Sequence, residues 1–477
     1  MRFTKSRALL VSFLAAISLS LVGCRFFGGS QESTDKIKLS IGFWPQSSDK
    51  NDTAMYTAWK DAFEKDNPQY TIVGEPYIYS KETIGTKYAT GTLPMVYQTW
   101  FTEPQTLKNS GYIRDITSIL DDEYGWADDM DDEMRATLTF DGKIYGVPRD
   151  GYGLGLLLNI KTLGDCGLLP EDENGKYVLY NKDGSPAYPT TFEQIYQYSQ
   201  TIVDNTANTL GLFVCTSNKN GGWQFSNMAW NYGAHLETQN NDGTTTANLD
   251  CPEAVNAMNW LQSMSQAGLV YKGISIAYDD WPSAIGDRVG MAIVGSDVLH
   301  LAKTTGDVDM SNLAFVPMPT GDGVHHYSLY GGTPYVFDAN TTDDQVRGIL
   351  KFFDYIGRSP TTNDSNISAI KEGYGVSVKK GQPIVPKIKA WKNADYLEIA
   401  NALEKQYTTV DMAYYSPFFD TISQYKHAEE PVAAQSMYEL LDDVIQAIFT
   451  NPESSNAQSL LTSANAKLQK IFDEMQG

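Results

Sequence analysis

The sequence predicts an α/β architecture with more than one core, and three observations carry that expectation. Strand-like and helix-like segments alternate from the first folded residues, which favours parallel strands linked by helical crossovers. The chain has 477 residues, enough for two or more domains of roughly 100–200 residues. Beyond the N-terminus no apolar run approaches the ~20 residues needed to span a bilayer.

The alternation begins at Ile37, Leu39 and Ile41, which alternate with polar neighbours. Met55, Trp59, Ala62 and Phe63 then recur at helical spacing, with Thr53 as the expected cap and Asn67-Pro68 as the stop. A strand at Tyr70–Val73, a helix near 81–90 and a strand at 95–97 follow. Separate strands are expected at 143–147 and 154–159, and the turn signals in 171–189 predict a surface hairpin. Helices are expected at 191–204, 224–234, 252–267, 281–287 and 343–357, with strands at 289–294 and 313–316. From Ala390 the chain reads as mostly helical, with helices at 394–405, 432–449 and 454–475.

The N-terminus reads as an export signal. Arg2, Lys5 and Arg7 precede an apolar run from Ala8, which closes on Leu21-Val22-Gly23-Cys24. That ending resembles a bacterial lipobox. The resemblance implies a signal peptide over 1–23, lipid attachment at Cys24 and a tether over 24–36, holding the protein on the extracytoplasmic face of the membrane. An ordinary signal peptide with an incidental cysteine is the alternative.

Formal net charge is −22. Removing 1–23 deletes three basic residues and no acids, leaving 33 basic against 58 acidic residues, or −25. This disfavours nucleic acid and makes a polyanionic ligand less expected, unless a local basic pocket overrides the bulk charge. Cys166, Cys215 and Cys251 have no zinc spacing and read as small apolar residues. No nucleotide, metalloprotease or nucleophile-elbow motif is present. No cofactor or metal is expected. The acidic run 121–133 lacks calcium-loop spacing and reads as a solvated surface.

Aromatic residues make up 12% of the chain, and many stand at the ends of strands or the starts of loops. A sugar offers an apolar ring face and a hydroxyl rim, so its pocket needs flat aromatics beside hydrogen-bonding groups. Trp44 and Gln46 with Asp52, Trp100 with Glu103, and Arg149-Asp150 beside Tyr152 supply such mixtures. Tyr79, Trp223, Trp230, Asp297, Gly332 and Tyr415 complete the candidate ligand-binding set.

The order of segments resembles the extracellular solute-binding proteins of the family 1, carbohydrate-uptake type, which are the capture subunits of bacterial ABC importers. Ala62–Pro68, Gly111–Thr117, Asp141–Pro148 with Asn159-Ile160-Lys161, Pro189–Gln194, Gly290–Gly295 and Phe315–Pro319 carry the resemblance. One departure is Ser296-Asp297, where the family often has an aromatic.

The resemblance implies a two-lobed periplasmic-binding-protein-like fold of type II, with hinge strands and a ligand cleft between the lobes. One lobe is expected to hold 36–147 plus 318–360, the other 148–317 plus 361–477. Crossings are expected near Val147–Arg149, Phe315–Met318 and residue 360. The implied function is capture of an oligosaccharide for separate permease subunits, by a monomer without enzymatic activity. Two alternatives stay open: a surface-anchored glycoside hydrolase or lyase, or the same fold binding ferric iron through tyrosines such as Tyr414-Tyr415.

Overall fold

The structure is a computed structural model that describes residues 36–476 except Lys272. The export signal, Cys24 and the tether up to residue 35 lie outside the described residues. A nine-stranded sheet organises the chain. Its strands are β1 Ile37–Ile41, β2 Tyr70–Gly74, β3 Val96–Gln98, β4 Gly146–Asn159, β5 Leu210–Phe213, β6 Val289–Gly295, β7 Leu313–Val316, β8 Ser328–Phe337 and β9 Lys426–Ala428. The order is β2-β1-β3-β8-β4-β6-β5, with β7 also on β4 and β9 on β8.

The parallel pairs β1–β2 and β1–β3 confirm the α/β reading of the first hundred residues. The longer helices are α1 Lys50–Asp66, α2 Phe192–Asn205, α3 Asn220–Trp230, α4 Pro252–Gln266, α5 Asp343–Phe353, α6 Asp364–Lys379, α7 Ala394–Tyr407, α8 Ala434–Thr450 and α9 Ala457–Gln476. Helix α1 is capped by Asp49, not Thr53: the Asp49 carboxylate accepts the Asp52 N–H. Among the described residues no helix is long and apolar enough to cross a membrane.

Strand β4 runs unbroken over 14 residues from Gly146 through the whole strand expected at 154–159, while Lys143–Ile144 of the expected 143–147 strand pairs separately with Thr139–Phe140. Its first half, Gly146–Gly153, pairs antiparallel with β8, and Leu154–Leu158 pairs with β6. The continuity of β4 was invisible as an apolar pattern because Arg149, Asp150 and Tyr152 are only half-buried. The segment 171–189 is not a hairpin. It forms two tight loops, each closed by one bridge, Glu171–Tyr177 and Tyr180–Pro186. Asp172 and Asp183 tie those loops by accepting backbone N–H groups, while Leu179 and Tyr188 reach into the core.

Two main apolar cores form on either side of the β4 midpoint. The first contains Leu39, Phe63, Val147, Phe337 and Phe353. The second contains Leu156, Phe213, Ile293, Phe315, Leu441 and Phe472. Ala369, Trp391, Tyr396 and Ala400 pack in the first core. The expected assignment of all of 361–477 to the second lobe therefore needs correcting. The reason is geometric: α6 packs on α1, where the Trp59 indole N–H donates to Glu372 at 2.6 Å.

Candidate functional site

The cleft is built where β4, β8 and the end of β6 meet. Register places Gly331, Gly332 and Thr333 of β8 opposite Tyr152, Gly151 and Asp150 of β4. Glycine is required there by space: a Cβ on Gly331 would stand 2.4 Å from Tyr152 Oη, and one on Gly332 2.4 Å from the Asp150 carbonyl. At the end of β6, Ser296 Oγ accepts the Gly153 N–H at 3.2 Å and Tyr278 Oη accepts the Gly295 N–H at 2.7 Å. These bonds project Asp297 and Tyr278 toward Tyr152.

Helix α3 supplies the facing wall. It begins at Asn220 rather than near 224 because Asp442 of α8, far away in sequence, accepts the Lys219 N–H at 2.6 Å and the Gly222 N–H at 2.8 Å. Asn218 and Lys219 just before it have positive φ. Trp223 then stands edge-on to Tyr152 and Tyr278, with ring centroids 5.9 and 5.3 Å away.

The result is a chamber of about 550 Å³. Its aromatic walls are Trp100, Tyr152, Trp223, Tyr278 and Tyr438, and Asn218, Asn220, Asp297, Thr333, Glu429 and Gln435 offer polar groups. Tyr438 Oη donates to Glu429 at 2.9 Å. A second chamber of about 370 Å³ lies between α1, α6, Arg149-Asp150, Arg358 and the segment 387–391. A smaller chamber of about 190 Å³ shares Asp297 with the first and Tyr374, Ser377, Gln382 and Lys387 with the second, so the three form a continuous run.

Of the residues expected from sequence, Trp100, Trp223, Asp297 and Gly332 meet in the first chamber. Asp52, Arg149 and Asp150 meet in the second. The others fall elsewhere. Trp44 packs edge-on behind Tyr56 at 5.3 Å, and Gln46 is exposed on the loop leading into α1. Tyr79 and Glu103 are buried behind Trp100, bonded to each other. Trp230 is a core residue, stacked on His427 with its indole N–H on Glu430.

Tyr415 is fully buried in the second core, whereas Tyr414 donates to the Tyr177 carbonyl, so the two phenols share no metal site. Sequence reasoning missed Tyr278, Asn218, Asn220, Glu429, Gln435, Tyr438, Arg358 and Lys387. Left-handed Asn218 and Lys219 belong to a class of backbone that favours Asn. Nothing local marks the rest, which arrive from remote segments.

Burial sets the electrostatics. It lifts Glu237 to about 8, and Glu429 and Glu430 to about 7. Asp297 meets water in the open cleft, yet crowding by the walls, then the charge of Asp150, lifts it to about 6. In the unfolded chain such groups ionise near pH 4. From about pH 4 to 7 the folded chain holds protons the unfolded chain has lost, so stability falls as pH rises through that window.

His300 and His427, lowered by burial, act oppositely below about pH 6.5. The melting temperature is therefore expected to fall between pH 6.5 and 7.5, and Glu429→Gln should flatten the fall. A melting temperature that climbs over this range in both proteins would contradict the assignment.

A family model for bacterial extracellular solute-binding proteins matches residues 58–395. The chain belongs to this family. The solute-binding protein has no significant match among curated proteins, but solved structures resemble it closely in shape. The cyclic α-maltosyl-1,6-maltose binding protein from Arthrobacter globiformis is 16% identical, with a TM-score of 0.66 over 92% of this chain and 100% of that one. UgpB from Mycobacterium tuberculosis, in complex with glycerophosphocholine, is 15% identical, with a TM-score of 0.67 over 93% of this chain and 99% of that one. The GacH receptor of Streptomyces glaucescens GLA.O, studied with acarbose, is 15% identical, with a TM-score of 0.65 over 92% and 99%. These likenesses establish the two-lobed fold of the solute-binding protein.

Proposed function

We propose that this protein captures an oligosaccharide outside the cytoplasmic membrane and hands it to the permease subunits of an ABC importer. The observation that carries this reading is the first chamber, where five aromatic walls stand among amide and carboxylate groups. That combination matches the apolar faces and hydroxyl rims of sugar rings. The sugar ligands named for the Arthrobacter globiformis and Streptomyces glaucescens relatives point the same way.

In this reading Trp100, Tyr152 and Trp223 cover ring faces, while Asn220, Asp297 and Gln435 bond hydroxyls. One lobe holds residues 36–147 and about 330–400, and the other holds most of the remainder, as the two cores group them. The lobes close on the ligand about β4 and the start of β8, and the closed form is favoured by its tighter hold on the sugar. Cys24 carries the lipid that keeps the protein at the membrane. The chemistry of the ligand is unchanged by binding.

The test is thermal unfolding with a panel of oligosaccharides, paired with chromatography of the glycans afterwards. The expected result is a saturable rise in melting temperature with at least one glycan recovered intact. No shift across a broad panel at high concentration would remove the sugar assignment, and shortened glycans would replace capture with hydrolysis.

A further inference from the structure

The second chamber carries cationic charge that its own carboxylates do not match. Arg149, Arg358, Lys380, Lys387 and Lys389 line it, against Asp52 and Asp150. Three of the cations are paired. Arg149 bonds Asp150 at 2.7 Å, Lys380 sits between Asp49 at 2.7 Å and Asp52 at 3.0 Å, and Lys389 holds Glu404 at 2.5 Å. Arg358 and Lys387 make no ion pair among the described residues, and Arg358 Nε is buried without a hydrogen-bond partner.

The backbone holds both in place. Arg358 follows the left-handed turn at Gly357 that leaves α5, and the Lys387 N–H donates to Glu404 at 2.8 Å. The Lys387 ammonium meets water in the cleft, but it is crowded by walls and by Arg358 and Arg149, and these lower its pKa. Leaving a buried donor unmatched beside a like charge is costly. In a chain of net charge −22 the arrangement is out of keeping with the bulk.

We propose that the captured glycan carries an oxyanion, a uronate carboxylate or a sulfate or phosphate ester, which Arg358 and Lys387 bind in the second chamber. This rests on the reading of the cleft as a glycan site. The guanidinium fork of Arg358 suits two oxygens of one oxyanion, and Lys387 adds a mobile point charge. The connecting chamber at Asp297 and Tyr374 lets uncharged rings continue onto Trp223 and Tyr152. The anionic end would then set the direction in which the chain of sugars lies.

Thermal unfolding of the full chain at constant ionic strength, with sodium sulfate, sodium D-galacturonate or D-galactose, tests the site directly. A saturable rise with an anion but not with galactose supports it. The apparent affinity should weaken about tenfold or more in Arg358→Gln and in Lys387→Gln, and stay unchanged in Lys470→Gln, whose side chain is 78% exposed. Response to sulfate alone indicates an ester, and response to galacturonate a carboxylate.

Absence of any saturable anion effect, or variants that respond like the parent, overturns the proposal. Binding of neutral oligosaccharides without an anion response would overturn it while leaving the sugar reading intact. An anion response with no glycan bound from the panel would keep the anion site at Arg358 and Lys387 but remove the sugar reading, and with it the glycan part of the proposal.

Discussion

Gly222→Ala is expected to lower stability by about 3 kcal/mol, near the upper end of overpacking penalties. Helix propensity alone argues the other way, since alanine is favoured over glycine by about 1 kcal/mol in a helix interior. Space decides the sign. A Cβ on Gly222 would lie 2.2 Å from the Tyr438 carbonyl oxygen and 2.5 Å from its Cα. Those atoms are backbone of α8 and cannot rotate aside, so α3 and α8 must separate.

Separation would also pull Asp442 from the N–H groups it accepts at the start of α3 and shift Trp223 against Tyr438. Gly375→Ala in α6 is the control. Nothing lies within 4 Å of its would-be Cβ, so that change should be neutral or stabilise by up to about 1 kcal/mol. Denaturant melts of both variants measure the contrast. Equal effects would mean that the α3–α8 contact is looser than described.

Trp223→Ala is expected to weaken ligand binding by about 2 kcal/mol or more, roughly thirtyfold, with stability much less affected. The indole is half-buried rather than part of the close-packed interior. It stands edge-on to both Tyr152 and Tyr278, so its loss removes one stacking face and loosens two others. Trp230→Ala provides the opposite pattern. Trp230 is 1% exposed, and its truncation should cost about 3–5 kcal/mol of stability. Calorimetric titration with a glycan from the panel, set beside melting curves, separates the two tryptophans. If Trp223→Ala bound as tightly as the parent, the aromatic chamber would not be where the sugar lies.

The contrast between these tryptophans shows where sequence reading stops. Both stand in one helix, seven residues apart, and each has a small residue before it and an amide residue after it. Only the packing of His427 and Glu430 around Trp230, and the opening beside Tyr152, distinguishes them. Many strands and helices were legible because each is written in local periodicity, but β8 and α6 were not among the expected elements. Ile37, Leu39 and Ile41 declare β1, and Val346, Ile349, Leu350 and Phe353 declare the buried side of α5. The order of short motifs carried the fold as well.

The site was legible where its residues lie beside aromatic or glycine signals, as with Asp150 next to Tyr152, Trp223 and Gly332. Glu429, Gln435 and Tyr438 come from the last fifty residues and Arg358 from a turn, and no periodicity reports which remote segments converge. The low expectation of a polyanionic ligand came from net charge, a sum over the surface. The chamber at Arg358 and Lys387 is a local exception to that sum.

Strand β8 lies between β3 and β4 in the sheet, although some 170 residues of chain separate it from β4. The first half of the sheet therefore stays open until residue 337 has been made. Trp391 and Ala400 complete that core, and Phe472 completes the other. Synthesis order thus forbids early closure: neither half can finish folding on a partial chain, since long-range pairing must wait for its partner. For a member of an extracellular solute-binding family, late closure would keep the chain open, able to pass a membrane, until its last segments had been made.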